Sequence, residues 1–240
     1  MLSGVNNYYA LDVVKYSNTD FNLQILEELV ELFKKRAGRP KKGWPDYDPY
    51  LDNNLFPSHI LTEKILSASL HDARIAMIRE TLLNPNSSNN GMTIKYCVPW
   101  SDRSIIENET IDVIISHSVM EHVNDIEDTY KALYMWLKYG GFMSHQTHFD
   151  SHNMSIKWNG HWGCSELVWK ILAGKRPFAI NREPYSAHID IIRKNSFKII
   201  CNLKRYRTDG IKRSQLSSRW RYISDDNLKC YGAFIQAEKH

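Results

Sequence analysis

The 240 residues carry 31 basic and 27 acidic side chains, a formal net charge of +4, with 42% hydrophobic content. That is enough chain for one large core, and too mild a charge to define a nucleic-acid or membrane-surface binder by electrostatics alone. Four separated cysteines with no C-x-x-C pair argue against a disulfide framework or structural zinc and fit a reducing cytoplasm; no apolar run reaches the roughly 18 residues of a bilayer span, and Met1-Leu2-Ser3 opens no secretory leader, so no membrane association is expected.

In chain order, Tyr8 to Val14 reads as a strand. Asn22 to Lys35 reads as an amphipathic helix with Leu26, Leu29, Val30 and Phe33 on one face, closed by Gly38 and Pro40. Residues 39 to 60, with four prolines and no period, read as an ordered insertion. Leu61 to Leu83 is helical, Asn84 to Gly91 a loop, and Thr93 to Val98 a strand ended by Pro99. Thr110 to Ser116 is rich in β-branched residues, the pattern of a strand buried on both faces of a parallel sheet. Asn124 or Asp125 can cap the helix that follows, where Ile126, Tyr130, Leu133 and Leu137 recur at helical spacing, with Gly140 and Gly141 as its left-handed stop. Phe142, Met143 and Ser144 then open the next strand.

Beyond it lie a Trp-rich segment (Lys157 to Trp169), a helix ending at Gly174, a helix around Ala187 to Asn195, and strands at Phe197 to Leu203 and Cys230 to Ala237. This alternation argues for an α/β fold, read as a single domain over residues 1 to 240. A basic stripe of Lys204, Arg205, Arg207, Lys212, Arg213, Arg219 and Arg221 could touch phosphate groups, but it lacks a recognition-helix period and reads as solvated surface.

Three segments, YYALDVV, IDVIISHSVMEHV and LKYGGFMSHQ, with a helix between the last two, together resemble the class I S-adenosylmethionine-dependent methyltransferases of the type 11-like kind, over Tyr8 to about Ala237. The resemblance implies a Rossmann-like three-layer sandwich around a mostly parallel sheet, with S-adenosyl-L-methionine as cofactor. It also implies methyl transfer to an oxygen or nitrogen of a small-molecule or glycan acceptor. Residues 153 to 186 fall where the family has a variable lid, making Trp158, Trp162, Arg182 and Tyr185 possible substrate contacts. The N-P-P-(Y/F) type motif of nucleic-acid amino-methylating enzymes is absent, since SHSV stands in its place, so a nucleic-acid partner is not expected.

An acidic residue ending the second strand of such folds accepts hydrogen bonds from ribose hydroxyls, which assigns Asp12, with Val13 beside it, to the cofactor. A strand-end aspartate can also simply cap a turn. Val98, Pro99 and Trp100 match the adenine-packing segment, with Asp102 in reach of the exocyclic amine, and Ser116 and His117 would face the methionine portion. The glycine-rich turn expected about 20 residues before the acid is absent. Gly4 is the one glycine ahead of Asp12, and Leu2 to Val5 read as the end of a first helix. The first strand of the family pattern is therefore missing, and the chain reads as amino-terminally incomplete; a non-catalytic methyltransferase-like binding protein is the alternative.

Methyl transfer needs in-line approach, exclusion of water and sometimes a base. Six of the ten histidines lie between 117 and 161, making His117, His122, His145 and His148 the catalytic candidates. His122 could equally be packed at a helix start. Glu121 with His122 matches a pair that some quinone-pathway O-methyltransferases use near a divalent metal, but those carry a carboxylate three residues earlier, where Ser118 stands, so no metal is assigned. A competing reading gives His145, His148, Asp150 and His152 to zinc or iron in a hydrolase or oxygenase.

Overall fold

The computed structural model describes residues 1–40, 53–89, 91–100, 102–176 and 178–240. The chain divides into two compact units, Met1–Asp102 and Arg103–His240.

In the first unit β1 (Asn7–Leu11) pairs in parallel with β3 (Met92–Cys97), whose other edge carries the short antiparallel β2 (Ser88–Asn89). Helix α1 (Thr19–Lys34) begins where the Asn18 side chain accepts a hydrogen bond from the Phe21 amide at 3.0 Å, a standard N-cap. Its Leu26 and Val30 pack with Leu2, Ile78 and Met92 into the unit's core. The single helix expected over 61–83 is two, α2 (Glu63–Ser69) and α3 (Asp72–Leu83). His71 divides them, because its imidazole accepts from the Ala73 amide and starts a new helix. Leu2 to Val5 form a turn, with the Gly4 amide bonded to the Met1 carbonyl, rather than a helix end; Leu2 is instead a core residue. Of the insertion read at 39–60, residues 41–52 lie outside the described residues.

The second unit is built on a sheet of order β4-β5-β7-β6, comprising β4 (Ile111–His117), β5 (Leu137–His148), β6 (Phe197–Tyr206) and β7 (Cys230–Lys239). β4 and β5 are parallel, and the remaining pairings are antiparallel. The fold is thus α/β and Rossmann-like, with parallel pairs β1–β3 and β4–β5 reached through intervening helices. Helix α4 (Ile126–Trp136) is capped by Asp125, whose carboxylate accepts from the Asp128 amide at 2.8 Å.

That helix ends four residues before Gly140, because Leu137 already pairs with Ile111 in β5. The two glycines form an irregularity inside the strand instead of a helix stop. Gly140 has φ +75°, and a Cβ on Gly141 would lie 2.9 Å from the Lys138 carbonyl oxygen and 3.1 Å from that of Asp112. Helix α6 (Tyr185–Lys194) packs beside α4, and Tyr130, Leu133, Ile189 and Ile192 are buried with Met143 and Ile235 of the sheet. β4 pairs only with β5 among the described residues, so it lies at an edge. Val113 is 47% and Ile115 72% exposed, in place of the burial on both faces that the sequence predicts. Two further helices, α5 (Glu166–Ala173) and α7 (Asp225–Lys229), complete the unit.

Candidate active site

Ligands of open α/β sheets bind beyond the carboxyl ends of the strands. In the first unit those ends bring together five residues that the sequence singles out. The Asp12 amide donates to the Cys97 carbonyl at 3.1 Å and the Trp100 amide donates to the Asp12 carbonyl at 3.1 Å, which holds Asp12 and Val13 against the Val98–Trp100 segment. The Asp12 carboxylate accepts from the Val13 amide at 2.8 Å, as a turn-capping aspartate does. Among the described residues its other oxygen has only the Tyr96 hydroxyl, at 3.5 Å. A carboxylate offers about four lone-pair positions, so Asp12 retains acceptor capacity for vicinal hydroxyls. Asp102 is exposed at the end of the same segment. Tyr96, which sequence reasoning missed, also receives the Tyr16 and Ser17 amides on its hydroxyl at 2.9 and 3.3 Å and so fixes the loop after β1.

In the second unit the carboxyl ends of β4 and β5 carry a set of imidazoles that packing divides in two. His145 is 1% exposed and shares a 2.7 Å hydrogen bond with the Ser116 hydroxyl; its ring stands edge-on to Tyr130. Burial pushes its pKa down to about 4, so the ring is neutral and enclosed, and it faces the core instead of the strand-end loop where a base is expected. Ser116, tied to that ring, points the same way. His117 lies partly buried at the strand end, lowered by burial and opposed by a hydrogen bond with Gln146. Its ring stands 6.3 Å from that of His148, which is also lowered by burial.

The loop after β4 turns sharply, with Ser118 at φ +52°, and buries Met120 and Glu121. Asn181, unremarked in the sequence, pins this loop. Its side chain donates to the Met120 and Val123 carbonyls at 2.8 and 3.0 Å, and its amide donates to the Glu121 carbonyl at 2.7 Å. Burial raises the Glu121 carboxyl to about 8. The His122 ring lies 4.8 Å from that of His152.

No family model matches the chain, and no curated protein matches it. Among solved structures, a SAM-dependent methyltransferase from Methanosarcina mazei is similar at 13% identity and TM-score 0.41, over 68% of this chain and 76% of that one. An S-adenosylmethionine dependent methyltransferase from Mesorhizobium loti gives 15% identity and TM-score 0.40, over 75% and 77%. Phosphoethanolamine N-methyltransferase 2 from Haemonchus contortus gives 14% and 0.38, over 71% of this chain and 41% of that one. Identities and scores this low leave the assignment to the chain's own residues.

The four side chains between 153 and 186 that the sequence offers to a substrate are packing groups. Trp158, Trp162 and Tyr185 are buried. Arg182 is 3% exposed, donates to the His161 and Cys164 carbonyls at 3.2 and 3.1 Å, pairs with Glu166, and stacks 4.9 Å from the Trp169 ring. Much of the basic stripe is neutralised, with Lys204 on Asp226, Arg207 on Asp209, Arg213 on Asp225 and Arg219 on Glu183. A cavity of about 630 Å³ is lined by Asp125, Glu127, Trp169, Asn181, Arg182 and Arg219, with none of the strand-end histidines in its lining.

Proposed function

We propose that this chain carries out class I S-adenosylmethionine-dependent methyl transfer to an oxygen or nitrogen of a small-molecule or glycan acceptor. The observation that carries the reading is Asp12. It sits at the carboxyl end of a parallel strand, held against Val98–Trp100, with one carboxylate oxygen almost unspent. When bound, S-adenosylmethionine supplies an electrophilic methyl group on a positively charged sulfur. Asp12 would accept the ribose hydroxyls, Val98, Pro99 and Trp100 would pack on the adenine, and Asp102 would accept from its amine. His117, at the end of β4, would adjoin the methionine portion, whereas the Ser116 hydroxyl is taken by His145.

Of the four histidines assigned to catalysis, His117 and His148 retain partly accessible rings held neutral by burial, the state in which an imidazole can take a proton from an acceptor. His145 serves better as scaffold. The engaged Ser116 hydroxyl favours the second reading, a methyltransferase-like protein that binds without catalysing.

Calorimetric titration of the chain with S-adenosylhomocysteine distinguishes a cofactor site from its absence. Binding that is lost in Asp12→Ala supports the proposal, and a folded chain that binds nothing removes it.

A further inference from the structure

The loops that follow β4 and β5 meet around a buried carboxylate. Glu121 is 3% exposed; its Oε1 accepts weakly from the His148 amide at 3.3 Å, and its Oε2 has no hydrogen-bond partner among the described residues. Opposite stands His152, whose Nε2 lies 3.8 Å from Glu121 Oε1, too far for a hydrogen bond, and is itself buried without a partner. His122 is the third member. Its Nδ1 lies 2.7 Å from the Phe178 carbonyl oxygen. A carbonyl can only accept, so Nδ1 carries the proton and Nε2 keeps a bare lone pair. One ligand atom from each of Glu121, His122 and His152 lies within 4.8 Å of the other two.

Glu121 Oε2 and His152 Nε2, each buried and without a hydrogen-bond partner among the described residues, are costly unless something satisfies them. Metal–ligand bonds of about 2.1 Å hold two ligand atoms of one ion about 3.0 to 3.5 Å apart, so the 3.8 Å separation needs only a small side-chain rotation to accept an ion. We propose that Glu121, His122 and His152 form a binding site for a divalent transition-metal ion. Asp150, whose Oδ1 lies 3.5 Å from His152 Nε2, stands beside it as an orienting group or a further ligand.

Two imidazoles and a carboxylate suit Zn²⁺, Fe²⁺, Co²⁺ or Mn²⁺ rather than Ca²⁺ or Mg²⁺. The Phe178 carbonyl fixes the tautomer of His122, as outer-shell acceptors do for ligating histidines. Ser118 provides no carboxylate, which is why the local sequence gives no metal; the fold supplies His152 from the other loop.

The test is titration of the full chain with Co²⁺ alone, read by its visible d–d absorption. One equivalent should bind and be displaced by Zn²⁺. His152→Asn and Glu121→Gln, checked for fold by circular dichroism, should each weaken binding by more than the roughly ten- to hundredfold that outer-shell changes cost. His59→Asn, on an exposed turn, should leave it unchanged. Failure of the wild-type chain to bind Co²⁺, unaltered binding in the first two variants, or equal loss in His59→Asn would each overturn the site.

Discussion

His145 and His152 belong to one strand and the loop that continues it, yet they sit in opposite environments. The first is enclosed between Ser116 and Tyr130 with two further core imidazoles nearby in the unit, His161 and His188. The second is about a third exposed and faces a carboxylate. The core imidazoles act as shaped, neutral packing groups; His188 hydrogen-bonds the Tyr130 hydroxyl at 3.1 Å. The loop imidazoles keep nitrogen lone pairs directed at other polar atoms. The same residue type is therefore scaffold on one side of the sheet end and candidate chemistry on the other, and burial separates the two roles.

The largest effect that separates the two groups is acid lability. Burial lowers His145 to about 4 and His161 and His188 to about 3, from an ordinary 6.5. The unfolded chain binds these protons first, so the stability they contribute is fully present above pH 6.5 and is lost progressively as pH falls from there to about 4 for His145 and to about 3 for His161 and His188. Each proton is worth roughly 1.4 kcal/mol per pH unit, so three give a slope of about 4 kcal/mol per unit. Denaturant melts read by tryptophan fluorescence report this unit, which holds Trp136, Trp158, Trp162, Trp169 and Trp220. A flat stability profile down to about pH 4 would break the comparison.

Smaller but still clear, His188→Ala should cost about 2–4 kcal/mol through the cavity it leaves, whereas His152→Ala should stay within about 1 kcal/mol. Equal costs in the same melts would remove the distinction. Smallest is Tyr96→Phe, which takes the acceptor from the Tyr16 and Ser17 amides. It should weaken S-adenosylhomocysteine binding by about 0.5–1.5 kcal/mol in the calorimeter while leaving the second unit's melt in place.

Elements with local signals are legible in the sequence itself. The Asp125 cap and the alternation of strands and helices follow from short-range patterns that survive folding. Boundaries set by pairing are not. Gly140 and Gly141 look like a helix stop, but the register of β5 against β4 draws Leu137 into the strand and makes them a bulge.

The site is legible as a list of histidines and illegible as a partition among them. Whether His145 points to the core or to the loop depends on strand register, and periodicity alone does not give that. Arg182 shows the same limit, since a cation in a Trp-rich segment reads as a substrate contact until its stacking against Trp169 and its carbonyl partners are known. His152 becomes a neighbour of Glu121 only through long-range folding.

The most direct measurement is a long-range ¹H–¹⁵N spectrum of the histidine rings with and without saturating S-adenosylhomocysteine. The ring signals of His117 should move, and those of His145, His161 and His188 should stay fixed. Movement of the core rings, or no movement of His117, would contradict the division between scaffold and site on which the assignment rests.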